Sequence, residues 1–373
     1  MRLATFNVEN MFERAAIMNL QTWDQGKEVL QDFSRLTELT QKQQYTADDK
    51  NEMLHLMEKN EGLLTSGEST YIRLNEIRGK FLKKQQGGQM TIVPDGRDDW
   101  IGWFELKKEP VKEKAIENTA RVIREINSDV LCIVEADSRV ALSRFNEMII
   151  PSVGASKYDH VMLIDGNDDR GIDVGIMTKQ PFGIESIKSH VDDLDAQGNK
   201  IFSRDCAEYT IRTPSGKALL LLVNHFKSKG YGSPAQSNAK RKRQATQVRE
   251  IYEQRLNNNG FQYIAIVGDF NDTPDSDPLT PLVANNSSLT DVTVHNKFIS
   301  DGRAGTYGNG TPSQKIDYIL MSPEVTKTVK EGGIERRGVW GGVNGTLFPH
   351  FPEILSAKDA ASDHAALWVE LNL

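Results

Sequence analysis

Residues 263–274 read YIAIVGDFNDTP. From Tyr263 to Gly268 the side chains are almost all apolar, and the chain then turns polar at Asp269 and Asn271. An apolar run this short suits a strand covered on both faces rather than a helix. The same pattern recurs at 3–7, 130–135, 174–178, 209–212, 218–224, 316–321 and 365–371. Helical periodicity lies between these runs. Residues 110–127 place Ala115, Ile116, Ala120, Val122, Ile123 and Ile126 on one face, and 240–256 form a second, strongly charged stretch. Strands interleaved with helices, and with hairpin-like pieces, predict an α/β chain built on a mixed sheet.

The polar residues that interrupt these runs carry the chemistry. Asn7, Glu135, His225 and Asp269 with Asn271 stand where strands end, whereas Asp317 and the pair Asp363, His364 stand where strands begin. Antiparallel neighbours bring one strand's end beside the next one's start, so all six sets can meet at one rim. Glu135, Asp269 and Asp363, with the amide oxygens of Asn7 and Asn271, form a hard oxygen donor set. Carboxylates crowded together repel unless a cation lies among them. Oxygen donors favour Mg²⁺, with Mn²⁺ or Ca²⁺ as alternatives, over zinc. His225 and His364 can exchange protons near neutral pH. A hard metal with two imidazoles describes hydrolysis of a phosphate ester.

The remainder of the chain bounds this reading. Between the first strand and Pro110 lies a segment of different character, an insertion over 15–109 in a single catalytic domain spanning 1–373. Residues 20–61 read as two helices, with Leu30, Leu36, Leu39, Met53 and Met57 among their apolar contacts, and 71–84 with 89–106 as a hairpin around Gln-Gly-Gly. Its role is either a structural cap or a lid that selects substrate. Two cysteines, Cys132 and Cys206, cannot staple a chain of 373 residues or build a zinc cluster. Lys and Arg total 45 against 52 acids, a net charge of −7, so overall charge does not announce a nucleic-acid binder. A local basic patch does: Lys227, Lys229, Lys240, Arg241, Lys242, Arg243 and Arg249 read as a rail for phosphates or as a solvated helix start. Gly230, Gly232 and Pro234 make the intervening loop adaptable. No run approaches the length of a membrane helix, and the start MRLATFNVEN lacks a signal core; a cytoplasmic protein is expected unless a leader was trimmed. His55, His160, His190, His295 and His350 read as structural.

In this light the chain resembles the endonuclease/exonuclease/phosphatase superfamily, the group typified by pancreatic deoxyribonuclease I. The matches are TFNVEN (5–10), DVLCIVEAD (129–137), FSRD (202–205), NHFKSK (224–229), GDFNDTP (268–274), KIDYIL (315–320) and SDH (362–364), in the family's order. The resemblance implies a four-layer α/β/β/α sandwich of two mixed sheets, with the helical and hairpin insertion following its first strand. It implies that Asn7 and Glu135 bind the cation with Asp363 opposite, and that Asp269 and Asn271 hold the attacking water and a phosphate oxygen. It makes His364 the histidine oriented by Asp317, and His225 a second catalytic histidine. Arg204 takes the place of an arginine that reaches substrate phosphate, with Lys227 and Lys229 as further phosphate contacts. Asp173 is expected to orient His225. The histidine at 225 sets the chain apart from the family's apurinic-site endonucleases. KIDYIL stands where inositol-polyphosphate 5-phosphatases carry a PAWCDR-type motif.

The function expected from these readings is a metal-dependent phosphodiesterase, a nuclease acting on DNA or RNA, with no protein partner. Two alternatives stand beside it: hydrolysis of a small phosphorylated metabolite or lipid headgroup, and a catalytically inactive binding module.

Overall fold

The computed structural model describes residues 1–373 apart from 10, 21–22, 169, 230–232, 259 and 285–286; Asn10, Gly230 and Gly232 therefore lie outside the described residues. The chain divides into two compact units, one built on Met1–Phe12, Val111–Lys229 and Pro234–Leu373, the other on Glu13–Pro110.

The strands of the larger unit are β1 (Arg2–Asn7), β2 (Val130–Ala136), β3 (His160–Ile164), β4 (Asp173–Thr178), β5 (Gly183–Lys188), β6 (Cys206–Arg212) and β7 (Ala218–His225). They continue with β8 (Tyr263–Asp269), β9 (Thr290–Asp291), β10 (Phe298–Ile299), β11 (Asp317–Met321), β12 (Val329–Glu335) and β13 (Ala366–Leu371). They form a seven-stranded sheet in the order β10-β12-β13-β1-β2-β4-β3 and a six-stranded sheet in the order β5-β6-β7-β8-β11-β9. Both are mixed: β1 runs parallel to β2 and β7 parallel to β8, while β13 and β11 pair antiparallel to them.

Alternation along each strand explains the layers, because successive side chains point to opposite faces. Val130, Cys132 and Val134 of β2 meet Leu219, Leu221 and Val223 of β7 and Ala265 and Val267 of β8 in one core between the sheets. Leu131 and Ile133 face the other way, onto Ala120, Val122, Ile123 and Ile126 of the helix Glu113–Ile126. On the far side Leu220, Leu222, Ile264 and Ile266 pack on Ala245, Val248, Ile251 and Tyr252 of the helix Pro234–Asn258. Strands buried on both faces must be apolar at every position, which is why their sequences are continuous rather than alternating. The result is the expected four-layer sandwich. Strands β3, β5 and β12 escaped the sequence reading because they are only partly covered; β5 exposes four of its six residues.

The smaller unit has its own core. Helices Trp23–Thr40 and Ala47–Lys59 are followed by a short turn of helix, Leu63–Ser66. The second begins at a capping box in which Thr46 and Asp49 satisfy each other's backbone donors. Ile72–Arg78 pairs antiparallel with Ile101–Leu106, and Leu82–Lys84 with Met90–Ile92 nests inside. The nested pair closes at Gly87 and Gly88, both at positive φ. Leu36, Leu39, Met53, Met57, Phe81 and Trp100 form the interior. The helical and hairpin character expected for the insertion is thus what this unit shows. No helix among the described residues is long and apolar enough to cross a membrane.

Candidate active site

Strand register lines up the polar residues. In the six-stranded sheet His225 pairs with Asp269 across the parallel β7/β8 ladder, and Asp269 pairs with Asp317 across the antiparallel β8/β11 ladder. Three chemistry-bearing residues therefore stand in a row along one rim. In the seven-stranded sheet Asn7 pairs with Val134, so Glu135 is the next residue of β2, and the 362–364 segment leads into β13 beside β1. The sheets join at this rim, where Asn7 Nδ2 donates to Asp269 Oδ2 at 3.2 Å. Glu135 (φ 66°) and Asn271 (φ 55°) both occupy the left-handed region, a conformation that costs a non-glycine residue energy and that clusters at functional sites.

Asp269 is the hub. Its Oδ1 accepts from the Asn271 backbone N–H at 2.7 Å, and its Oδ2 accepts from Asn271 Nδ2 at 3.1 Å besides Asn7. Two imidazoles approach the same Oδ2: His225 Nε2 at 3.6 Å and His364 Nε2 at 3.9 Å. Burial first, and the neighbouring Asp317 second, push the Asp269 carboxyl well above its usual range.

The two histidines are held differently. His364 Nδ1 donates to Asp317, 2.9 Å from Oδ2 and 3.1 Å from Oδ1, and Thr306 Oγ1 donates to the same Asp317 Oδ2 at 2.6 Å. Burial opposes charge on this ring, yet Asp317 and Asp363 outweigh it and raise its pKa well above the ordinary value. His225 Nε2 lies 3.5 Å from Glu135 Oε1, and its buried Nδ1 has no hydrogen-bond partner. Burial, followed by the charges of Arg204 and Arg170, lowers its pKa well below the ordinary value.

For a cation, the informative atom is Asp363 Oδ1, which is buried without a hydrogen-bond partner and lies 3.7 Å from His364 Nε2. Its backbone N–H is held by Glu9 Oε2 at 3.0 Å, and Ser362 Oγ ties the same segment to the Asn7 carbonyl at 2.7 Å. An orphaned carboxylate oxygen among Asn7, Glu135 and Asp363 fits a hard divalent ion. Asp269, Asp317 and His364 also offer ligand atoms within 4.8 Å of one another. The Asp317 oxygens are engaged by His364 and Thr306, so that trio reads as a hydrogen-bonded pair leaning on a hub.

Arg204 is buried beside this rim, with Nε 2.8 Å from Asp168 Oδ2 and Nη1 donating to the Phe226 carbonyl at 3.0 Å. Arg170 shares the same Asp168. Lys227 lies near these arginines, and burial, then Arg204 and Arg170, push its ammonium down to about 7. Lys229 turns to Asp272, at 2.7 Å.

One expectation needs correction. Asp173 does not orient His225: its carboxylate accepts the Gly166 N–H at 2.7 Å and is pushed up to about 6 by burial, while His225 Nδ1 stays unpartnered. A register shift at Asp173/Val174 marks an irregularity where β4 meets β2. Several cations of the expected rail lie beside acids of their own. Arg241 is buried on Asp272, Lys242 pairs with Asp277, Arg249 with Glu253, and Arg243 lies 3.8 Å from Asp195. Thr306 and Asp168 were not singled out from sequence, since a lone hydroxyl and one acid in an acid-rich loop carry no motif; Ser362 was read only as the first residue of SDH.

Residues 89–332 match the model of a family described as the endonuclease/exonuclease/phosphatase family. Its members hydrolyse phosphoester bonds and generally depend on a divalent metal. No curated protein matches the sequence. Among solved structures, a mannosyl-6-phosphatase of Bacteroides thetaiotaomicron is 17% identical, with 70% of this chain and 92% of that one covered and a TM-score of 0.49. The human Nocturnin catalytic domain with bound sulfate is also 17% identical (70% and 87% covered, TM-score 0.48), and truncated Caenorhabditis elegans TDP2 is 15% identical (68% and 88%, TM-score 0.46).

Proposed function

Because the chain belongs to the endonuclease/exonuclease/phosphatase family, we propose that it is a divalent-metal-dependent phosphodiesterase acting on nucleic acid. The observation that carries this reading is the Asp317–His364 pair, whose free Nε2 faces Asp269 and Asp363. A carboxylate on Nδ1 fixes the imidazole tautomer and leaves Nε2 to hydrogen-bond the reacting phosphate or its leaving oxygen. Asp269, itself oriented by Asn7 and Asn271, holds the attacking water and accepts its proton. His225 Nε2, 3.5 Å from Glu135 and 3.6 Å from Asp269, donates its one N–H to a phosphate oxygen. Arg204 supplies a fixed positive charge beside them. Asn7, Glu135 and Asp363 would hold the ion, Mg²⁺ by the hardness of the donors; when bound it neutralises charge on the phosphate oxygens. Glu13–Pro110 is then an insertion in the catalytic domain.

The test is cleavage of a plasmid and of a single-stranded oligonucleotide. Activity with Mg²⁺ that EDTA abolishes, and that Asp363→Ala and His364→Ala lose, supports the reading. Absence of cleavage with Mg²⁺, Mn²⁺ and Ca²⁺ alike overturns it. A second reading, hydrolysis of a small phosphorylated metabolite, is favoured by the pairing of Lys229, Arg241 and Lys242 with their own carboxylates. Turnover of a sugar phosphate or mononucleotide faster than any oligonucleotide would select it.

A further inference from the structure

Nearly every cation around the rim has its acid, but Lys240 does not. Arg204 and Arg170 share Asp168, Lys229 and Arg241 share Asp272, and Lys242 has Asp277. Lys240 is half-buried, and its ammonium makes no hydrogen bond or ion pair among the described residues. An unpaired ammonium withdrawn from water among other cations is costly, and a bound anion would offset that cost. Burial, then Arg243 and Arg204, hold its pKa below the usual lysine value against the smaller opposing pull of Asp168 and Asp195.

Its position follows from the helix. On Pro234–Asn258, residues 240, 243 and 244 share one face. Gln244 Oε1 accepts the Lys227 N–H at 2.8 Å, and Gln244 Nε2 donates to Ser203 Oγ, the neighbour of Arg204, at 3.1 Å. That turn of helix is therefore pinned beside Arg204 and Lys227. On its outer side Arg243 and Lys242, with an apolar floor of Ile201 and Ala239, line a groove of about 400 Å³. Arg243 and Arg204 both lie close enough to Lys240 to disfavour its charge, and Arg243, 3.8 Å from Asp195, also lines the groove.

We propose that the substrate carries a second phosphate, received by Lys240 with Arg243, while the phosphate to be cleaved lies at Arg204 and His364. This rests on the phosphodiesterase reading and narrows it to substrates with two phosphates in reach of one another: adjacent phosphates of a polynucleotide, or a doubly phosphorylated small molecule. A monophosphate would leave Lys240 unpaired and lose a charge-assisted contact, on the order of tenfold in affinity.

The experiment is calorimetric titration of the full-length protein in Mg²⁺ buffer with thymidine 5′-monophosphate and thymidine 3′,5′-bisphosphate, and with glucose 6-phosphate and glucose 1,6-bisphosphate. The bisphosphate of at least one pair is expected to bind about tenfold more tightly. Lys240→Gln is expected to narrow that ratio to less than about threefold, and Lys240→Arg to keep it. Lys330→Gln, an exposed strand residue, controls for bulk charge and circular dichroism for folding. Equal affinities within both pairs, or a ratio that survives Lys240→Gln, overturn the proposal. Because binding needs no turnover, failure of the protein to cleave any oligonucleotide would sink the phosphodiesterase reading while leaving this ratio measurable.

Discussion

The buried histidines His190 and His364 both sit against carboxylates, and they are built to opposite ends. His190, on the loop after β5, sets both ring nitrogens against carboxylates: Nδ1 lies 2.8 Å from Asp193 Oδ2 and Nε2 2.7 Å from Glu208 Oε1. Arg255 closes on both Glu208 oxygens at 2.6 Å, and Gln247 Nε2 adds a second donor to Asp193 Oδ2. Each hydrogen-bonding group of His190 and Glu208 is therefore used. At the candidate active site His364 uses Nδ1 alone, His225 Nδ1 has no partner, and Asp363 Oδ1 has none. Saturation spends a buried polar cluster on holding the fold; unsatisfied groups in a cluster of the same composition leave it capacity for a substrate.

That contrast is broken most directly by trading the two. His364→Gln keeps an Nε2 donor of different placement but removes the oriented imidazole, and should lower kcat by about a thousandfold with the melting temperature little changed. Glu208→Gln should do the reverse. It leaves Arg255 and His190 charged around a neutral amide, costing about 3 kcal/mol of stability by urea unfolding, while kcat per folded molecule stays as in wild type. A catalytic loss in Glu208→Gln, or collapse of the fold in His364→Gln, would erase the distinction.

A smaller effect sharpens it through pH. Burial works against charge on His190, yet Glu208 and Asp193 raise its pKa above the ordinary 6.5. A group whose folded pKa is raised stabilises fully below its unfolded value, and the contribution disappears as pH rises through the folded value. The carboxylates facing it are Asp193, Glu208 and, at its backbone N–H, Asp205; Lys188 and Arg255 face Glu208 from the other side. Glu208 is the opposite case. Burial opposes its charge, but Arg255 and His190 lower it to about 2, so its contribution is present above 4.5 and is lost as pH falls toward 2. The stability difference between wild type and His190→Gln should therefore be largest between these limits and shrink on the alkaline side. A difference that grows with pH would mean that His190 is held neutral.

The central strands of both sheets were legible because burial on two faces leaves unbroken apolar runs, and the rim was legible because each run ends in a polar residue. The register that sets His225, Asp269 and Asp317 in a row was implicit in those ends. What stayed hidden depends on distance. Thr306 matters because its hydroxyl lies 2.6 Å from Asp317 Oδ2, and nothing in a glycine-rich loop announces that. Asp173 was misread for the same reason: it begins β4 much as Asp317 begins β11, but the Gly166 N–H claims its carboxylate. Lys240 looked like one member of a basic run, and only the partners found by its neighbours distinguish it.

Lys229 gives the smallest effect and decides how far the sequence reading of a phosphate rail extends. Its ammonium lies 2.7 Å from Asp272, with the lysine side chain 54% exposed. Asp272 does not depend on it, because buried Arg241 holds the other carboxylate oxygen at 2.9 Å. An exposed pair whose acid is already satisfied contributes at most about 1 kcal/mol. Lys229→Gln should therefore shift KM for an oligonucleotide by less than about threefold, and leave the salt dependence of KM nearly as in wild type. Arg241→Gln, by contrast, strands Asp272 and frees the Lys227 carbonyl that Arg241 Nη1 holds at 2.9 Å, so its cost should appear in folding. A tenfold rise in KM for Lys229→Gln with a shallower salt dependence would show that substrate draws the lysine away from Asp272, and would restore the rail along this edge of the rim.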